Sequence, residues 1–260
     1  MPREPRIADE ILSCAVPTEE NLFEELTASV RWEDVGKGRR GAVLARVDEA
    51  GGVPLVRTTT RYSNPTQRFR AVHEQLAQQI QERTALSVGF NNALIETYTN
   101  AYTKMGSHSD QALDLTDESF IAVFSCYQHP EAGPPRKLIF ESKGPDAKAD
   151  GERFEIPLAH NSVVAFSVDA NRRLRHRIVL DAPLQAADNQ WLGVTFRTSK
   201  TFVRFRDGHA YLPQGERLVS ADDEQSREFY QLRRRENQET DFRYPLLTYT
   251  ISESDLMPPV

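Results

Sequence analysis

The stretch GSHSDQALDL, residues 106–115, places an imidazole and a carboxylate two positions apart at His108 and Asp110. They flank one small residue, so both side chains can reach a common point. A second imidazole, His176, stands far along the chain in LRHRIVL. Two imidazoles and one carboxylate are a donor set that holds Fe(II) on one face of an octahedron, leaving three adjacent positions for a bidentate cosubstrate and dioxygen. An HxD tripeptide alone is common, and the plainer readings are a loop in which Asp110 caps local backbone and a hydrogen-bonded strand histidine at 176. Arrangement favours the metal reading. The pair follows a β-like segment, ALIETYTNAYTKMGS, and His176 begins a hydrophobic strand. Arg197 lies in the last strand-like run, GVTFRTSKTF. An arginine buried there can grip a carboxylate at two points, its plainer role being a structural ion pair.

Such residues need a frame. NPTQRFRAVHEQLAQQIQERTAL predicts a helix over 64–86, with Phe69, Val72, Leu76 and Ile80 on one apolar face and His73 packed or solvated beside it. TEENLFEELTASVRW predicts a helix opening at Thr18 and the acids after it. From residue 90 the texture is β. FNNALIETY, SFIAVFSCYQ, RKLIFES, RFEIPLA, SVVAFSV, RHRIVL and WLGVTFRTSKTFVRF are short, branched and aromatic, and loops such as HPEAGPPR and KGPDAKADGE separate them. The fold class expected is mainly β with flanking helices, an antiparallel sandwich or barrel, with a jelly roll among the options. No βαβ alternation or glycine-rich phosphate loop supports a dinucleotide fold. Cys126 alternates like a core residue, His160 reads as structural, and His129 and His209 lie in loops without a role. The stretch 206–260 is polar but ends in DFRYPLLTYTISESDLMPPV, too apolar for a free tail, and is expected to pack back on the domain.

Net charge is −6 at neutral pH. A chain that grips duplex phosphates usually carries the opposite balance. NRRLRHR, 171–177, and QLRRREN, 231–237, read as solvated surface. A 39% hydrophobic and 27% charged composition fits a soluble globular protein. No apolar run approaches the ~18 residues of a membrane span, and the acid-bearing N-terminus does not resemble a secretory signal. Cys14 and Cys126 form no disulfide framework, so a reducing cytoplasm is the expected home.

FNNALIETY, HSDQALDL, LAHNSVVAFSVDANRRLRHRI and VTFRTSKTF follow one another between about residues 88 and 203. As a set they resemble the AlkB-like branch of Fe(II)/2-oxoglutarate-dependent dioxygenases. VPLVRTTTRYSNP, 53–65, more loosely resembles the strand and lid before that family's catalytic core. The resemblance implies one domain over 1–260: a helical and lid region at 1–88, a double-stranded β-helix (jelly-roll, cupin-like) core at 89–205, and an extension at 206–260 packed on it. It implies His108, Asp110 and His176 as iron ligands, Arg197 as the holder of a 2-oxoglutarate carboxylate and Tyr98 as a cosubstrate hydrogen-bond partner. Arg61 and Tyr62, in the lid, become candidate substrate contacts, with Asn92 and Lys104 behind them. Three positions depart from the family pattern. Glu96 stands where many members carry Asn or Gln, Trp191 where many carry an arginine, and Gly193 at a second polar position. One carboxylate contact of the family is then either missing or supplied from elsewhere, a basic side chain of 171–177 being one source.

The activity implied uses Fe(II), 2-oxoglutarate and O2, releases succinate and CO2, and hydroxylates a C–H bond. Hydroxylation beside nitrogen collapses to dealkylation. A carboxylate at 110 favours hydroxylation over halogenation. The acidic balance puts a small-molecule or amino acid-like substrate first and demethylation of nucleic acid or protein second. A non-catalytic cupin-like binding domain is third.

Overall fold

The computed structural model describes residues 7–18, 21–143, 153–181 and 189–260. Strand β1 (Ile11–Ala15) and helix α1 (Leu22–Ser29) lead into β2 (Glu33–Gly36) and β3 (Arg39–Ala45). The two-residue strands β4 (Val53–Pro54) and β5 (Gln67–Arg68) precede α2 (Ala71–Thr84). Then come β6 (Asn92–Tyr98), β7 (Phe120–Tyr127), β8 (Lys137–Ser142), β9 (Arg153–Pro157) and β10 (Ser162–Ser167). After them follow α3 (Val168–Arg173), β11 (Leu174–Val179) and β12 (Trp191–Arg197). The C-terminal part holds β13 (Phe202–Arg206), β14 (His209–Tyr211), β15 (Val219–Ser220), α4 (Asp223–Glu236) and β16 (Tyr249–Thr250).

The large sheet runs β1-β10-β7-β12-β6-β3-β2, with antiparallel neighbours throughout and β5 added parallel to β3. A smaller sheet, β11-β8-β9, faces it. The chain before the HxD segment joins β11 through bridges Lys104↔Val179 and His108↔His176. Two facing antiparallel sheets with strands alternating between them form the jelly roll expected.

Period-two alternation sorts each strand of the large sheet. Ala93 and Ile95, Ala122, Phe124 and Cys126, Val163 and Ala165, and Leu192, Val194 and Phe196 point outward into one apolar cluster. Leu26 of α1 and Val72, Leu76 and Ile80 of α2 cover that face. Tyr98, Ile121, Val123, Val164, Phe166 and Trp191 point the other way, meeting Leu138, Phe140 and Ile178 of the small sheet. His73 and Cys126 are fully buried, as a packed helix residue and an inert core thiol should be.

Three boundaries differ from the sequence expectation. Helix α2 starts at Ala71, not 64, because Pro65 precedes a stretch that pairs with β3: Leu44 lies opposite Gln67, and the Phe69 amide donates to Ala45 O. Phe69 therefore packs from an extended segment, edge-on to Phe196 at 6.1 Å. Helix α1 is capped by the Asn21 side chain rather than by Thr18, and residues 19 and 20 lie outside the described set. WLGVTFRTSKTFVRF makes two strands, because 198–201 turn away and β13 pairs with β14 and β4. Most of the KGPDAKADGE loop, 144–152, is outside the described residues. In the 206–260 stretch, Leu212 and Leu218 join β4 and β13 in one cluster, and Val260 exchanges backbone bonds with Thr66 and Arg68.

Candidate metal and cosubstrate site

Backbone pairing brings residues distant in sequence together. His108 and His176 exchange backbone hydrogen bonds of 2.9 and 2.6 Å across the rim of the small sheet, leaving their ring centroids 4.7 Å apart. Asp110 follows two residues on and is fastened at both backbone atoms. Its N–H donates to Asn171 Oδ1, and its carbonyl accepts from Asn171 Nδ2, each at 2.8 Å. Helix α4 holds the residue between. Ser109 N–H donates to Asn237 Oδ1 at 2.8 Å, and Ser109 O accepts from Arg233 Nη2 at 2.7 Å. Glu236, paired with Arg233, also accepts from the Ala112 amide.

The two imidazole Nε2 atoms stand 3.7 and 3.6 Å from Asp110 Oδ1. One ligand atom from each of the three residues lies within 4.8 Å of the others. His108 Nδ1 lies 2.9 Å from Gly106 O, so that nitrogen carries the proton and Nε2 keeps its lone pair. Burial and then the neighbouring His108 push the His176 pKa down to about 3, and burial lowers His108 as well. Burial disfavours the Asp110 carboxylate, but Arg197 and the two imidazoles outweigh it and hold the carboxyl well below its usual range. Neutral imidazoles and an ionised carboxylate are the forms in which these groups bind metal, so the donor set fits a divalent ion without first losing protons.

Arg197, from the end of β12, reaches Asp110 Oδ2 with Nε at 2.7 Å and Nη2 at 2.6 Å. The carboxylate is thereby divided: Oδ1 faces the imidazoles and Oδ2 the guanidinium. Only Nη1 of Arg197 lacks a protein partner. A cavity of about 340 Å³ opens beside the triad, lined by Arg39, Arg57, Glu96, Tyr98, Trp191, Arg197 and others. Gln111, Trp191 and Arg233 line it too and carry buried polar atoms with no protein partner. Buried polar groups seek partners, so these atoms make the cavity suited to a polar ligand or to water.

The remaining sequence expectations fall as follows. Tyr98 lines the cavity, but its hydroxyl donates to Glu96 Oε2 at 2.8 Å. Tyr62 is buried with its hydroxyl 3.5 Å from Glu96 Oε1, touching the site through that acid. Arg61 and Lys104 are exposed and line no part of the cavity, while Asn92 is buried and donates to Pro54 O. The basic run 171–177 does not supply the missing carboxylate contact. Arg172 pairs with Asp117, Arg173 with Glu10 and Asp169, and Arg177 with Glu141; none lines the cavity. The run 231–237 is not simply solvated surface, since Arg233 and Glu236 are buried against the HxD segment. Asn171, Asn237 and Arg233 hold the triad by bonds to backbone, and such bonds leave no periodic trace in sequence. Trp191 covers Gly193 so closely that a β-carbon there would meet its ring at 2.0 Å, which explains the glycine.

A jelly roll with two imidazoles and a carboxylate converging beside a polar cavity is a scaffold that could hold a divalent metal ion. Residues 17–197 match the model of the 2OG-Fe(II) oxygenase superfamily, and the chain belongs to that superfamily. Fe(II), 2-oxoglutarate and O2 are the cofactor and cosubstrates of this class. A solved structure of OsALKBH1 aligns at 11% identity and a TM-score of 0.47, over 73% of this chain and 96% of that one. No curated protein matches the sequence. Among the described residues, no helix is long and apolar enough to cross a membrane.

Proposed function

We propose that residues 1–260 act as one cytoplasmic Fe(II)- and 2-oxoglutarate-dependent dioxygenase unit that hydroxylates a C–H bond of a small-molecule or amino acid-like substrate. The observation that carries this reading is the convergence of His108, Asp110 and His176 within 4.8 Å beside the cavity. When bound, iron and 2-oxoglutarate supply the oxidising chemistry, with loss of CO2 and formation of succinate. The chain supplies placement. The Gly106 carbonyl sets the His108 tautomer, and Asn171 fixes Asp110 through its backbone. Arg197 turns Asp110 so that one oxygen faces the imidazoles, and its remaining N–H group points to a role toward the cosubstrate's carboxylate. Tyr98 and Tyr62 hold Glu96 at the cavity wall. The modest cavity and the net charge of −6 favour a compact substrate over a nucleic-acid strand.

A second reading, AlkB-type demethylation of nucleic acid or protein, draws on one feature. A neighbouring cavity of about 430 Å³ gathers Arg172, Lys200 and Arg243 around Asp117, its sole acid among the described residues besides the Arg57-paired Asp114. A screen of metabolites, methylated oligonucleotides and methylated peptides for substrate-stimulated 2-oxoglutarate consumption decides between the two. Stimulation by a metabolite that His108→Ala abolishes supports the first reading. Stimulation only by methylated oligonucleotides or peptides replaces it with the second.

A further inference from the structure

2-Oxoglutarate is a diacid. If its 2-oxo acid head meets the metal, its far carboxylate is buried in the same cavity and needs a cation, because an unpaired buried charge is expensive. Strand β12 offers none beyond Arg197, which is committed to Asp110. At the other end of β12 stands Trp191, whose indole N–H can donate a hydrogen bond but carries no charge to neutralise a carboxylate.

Among the described residues, four arginines line the cavity: Arg39, Arg57, Arg197 and Arg233. Arg57 is saturated by Asp114 at two points and by the carbonyls of Leu247 and Tyr249. Arg233 has its charge paired by Glu236 at Nη1 and gives Nη2 to Ser109 O, so that Nε alone is left toward the cavity. Arg39 is held more loosely. Its Nη2 donates to the Thr60 hydroxyl at 2.9 Å, and Glu96 Oε1 lies 3.4 Å from its Nε, without a two-point pair.

Its position also suits the task. Arg39 lies opposite Tyr98 on β3, and Tyr98 lies opposite Trp191 on β12. Arg39 therefore enters at the level of Trp191 two strands away, roughly 10 Å at ordinary strand spacing. A long guanidinium side chain spans much of that gap. The guanidinium lies over Tyr102, whose ring is 4.5 Å from Tyr98, and Tyr98 is 4.7 Å from Trp191. The three rings form a wall leading from Arg39 into the cavity.

We infer that Arg39, reaching in from β3, takes the far carboxylate of 2-oxoglutarate in this protein, and that Glu96 is the acid it must leave to do so. The inference rests on the proposed dioxygenase reading. It assigns opposite signs to two neighbouring residues: Arg39 attracts the cosubstrate and Glu96 competes with it.

The test is calorimetric binding of 2-oxoglutarate to the Mn(II)-loaded full chain, with no turnover required. Pyruvate, which has the same 2-oxo acid head and no far carboxylate, is titrated in parallel. Arg39→Gln should weaken 2-oxoglutarate by about 10–100-fold, as loss of a charged hydrogen-bonded contact does, and leave pyruvate within about twofold. Glu96→Gln should tighten 2-oxoglutarate, and retained pyruvate binding shows that each variant is folded. Equal weakening of both ligands by Arg39→Gln, or no weakening of either, overturns the assignment, as does weaker 2-oxoglutarate binding in Glu96→Gln. If the unmodified protein binds Mn(II) but not 2-oxoglutarate, the dioxygenase reading itself fails, a result distinct from all of these.

Discussion

The two faces of β6 and β12 are built from alternate residues of the same strands in one register, yet they have little in common. Outward stand Ala93, Ile95, Leu192, Val194 and Phe196, all fully buried under α1 and α2. Inward stand Glu96, Tyr98, Trp191, Thr195 and Arg197, around a cavity whose neighbours carry unpartnered polar atoms. The outer face can be described by apolar area alone. The inner face needs each donor and acceptor named. Stiffness and chemistry are thus separated by one step along the chain, and a slip of register would exchange them.

The largest expected effect is on the inner side. His176→Ala removes one of the three proposed ligands and should cost metal affinity more than the 10–100-fold typical of outer partners, with turnover lost, as read by metal titration and succinate release. The mirror experiment is Phe196→Ala on the outer face. It should cost about 3–5 kcal/mol in urea unfolding and leave the metal affinity of the folded fraction unchanged. A change in metal affinity there would dissolve the division between the faces.

The outer layer also holds a titration remote from the triad. His73 sits between α1 and α2, its Nε2 bonded to Ser29 Oγ and its Nδ1 accepting from the Arg70 amide. Burial, then Arg70, pushes its pKa down to about 4 from the ordinary 6.5. The unfolded chain then binds the extra proton first. Stability is full above about 6.5 and falls by up to about 3 kcal/mol as pH drops toward 4. Chemical denaturation across that range should show an acid limb that His73→Gln flattens. The smallest effect sharpens the inner side again: Asn171→Ala should loosen Asp110 and weaken metal binding by about tenfold while the fold persists, measured by the same titration.

Sequence revealed these regions unequally. The outer face was legible because apolar alternation and helical spacing are periodic, and His108, Asp110 and His176 were legible because their residue types suit a metal. The start of α2 was not, since the pairing of 67–68 with β3 is set by contacts distant in sequence. Arg233 stands in a run of three arginines that sequence alone cannot tell apart, and only the packing of α4 shows which of the three turns inward. Arg39 lacked any signal beyond its charge. Its inward direction follows from β3's place beside β6, a fact of topology and not of composition.

The grip of α4 on Ser109 orders events in time. In a chain made from its N-terminus, the HxD turn leaves the ribosome long before Arg233 and Asn237, which hold its backbone. Metal capture at the proposed site would therefore wait on the docking of α4. A nascent chain stalled before residue 233 would present the imidazole and carboxylate on an untethered loop, with poor purchase on any ion.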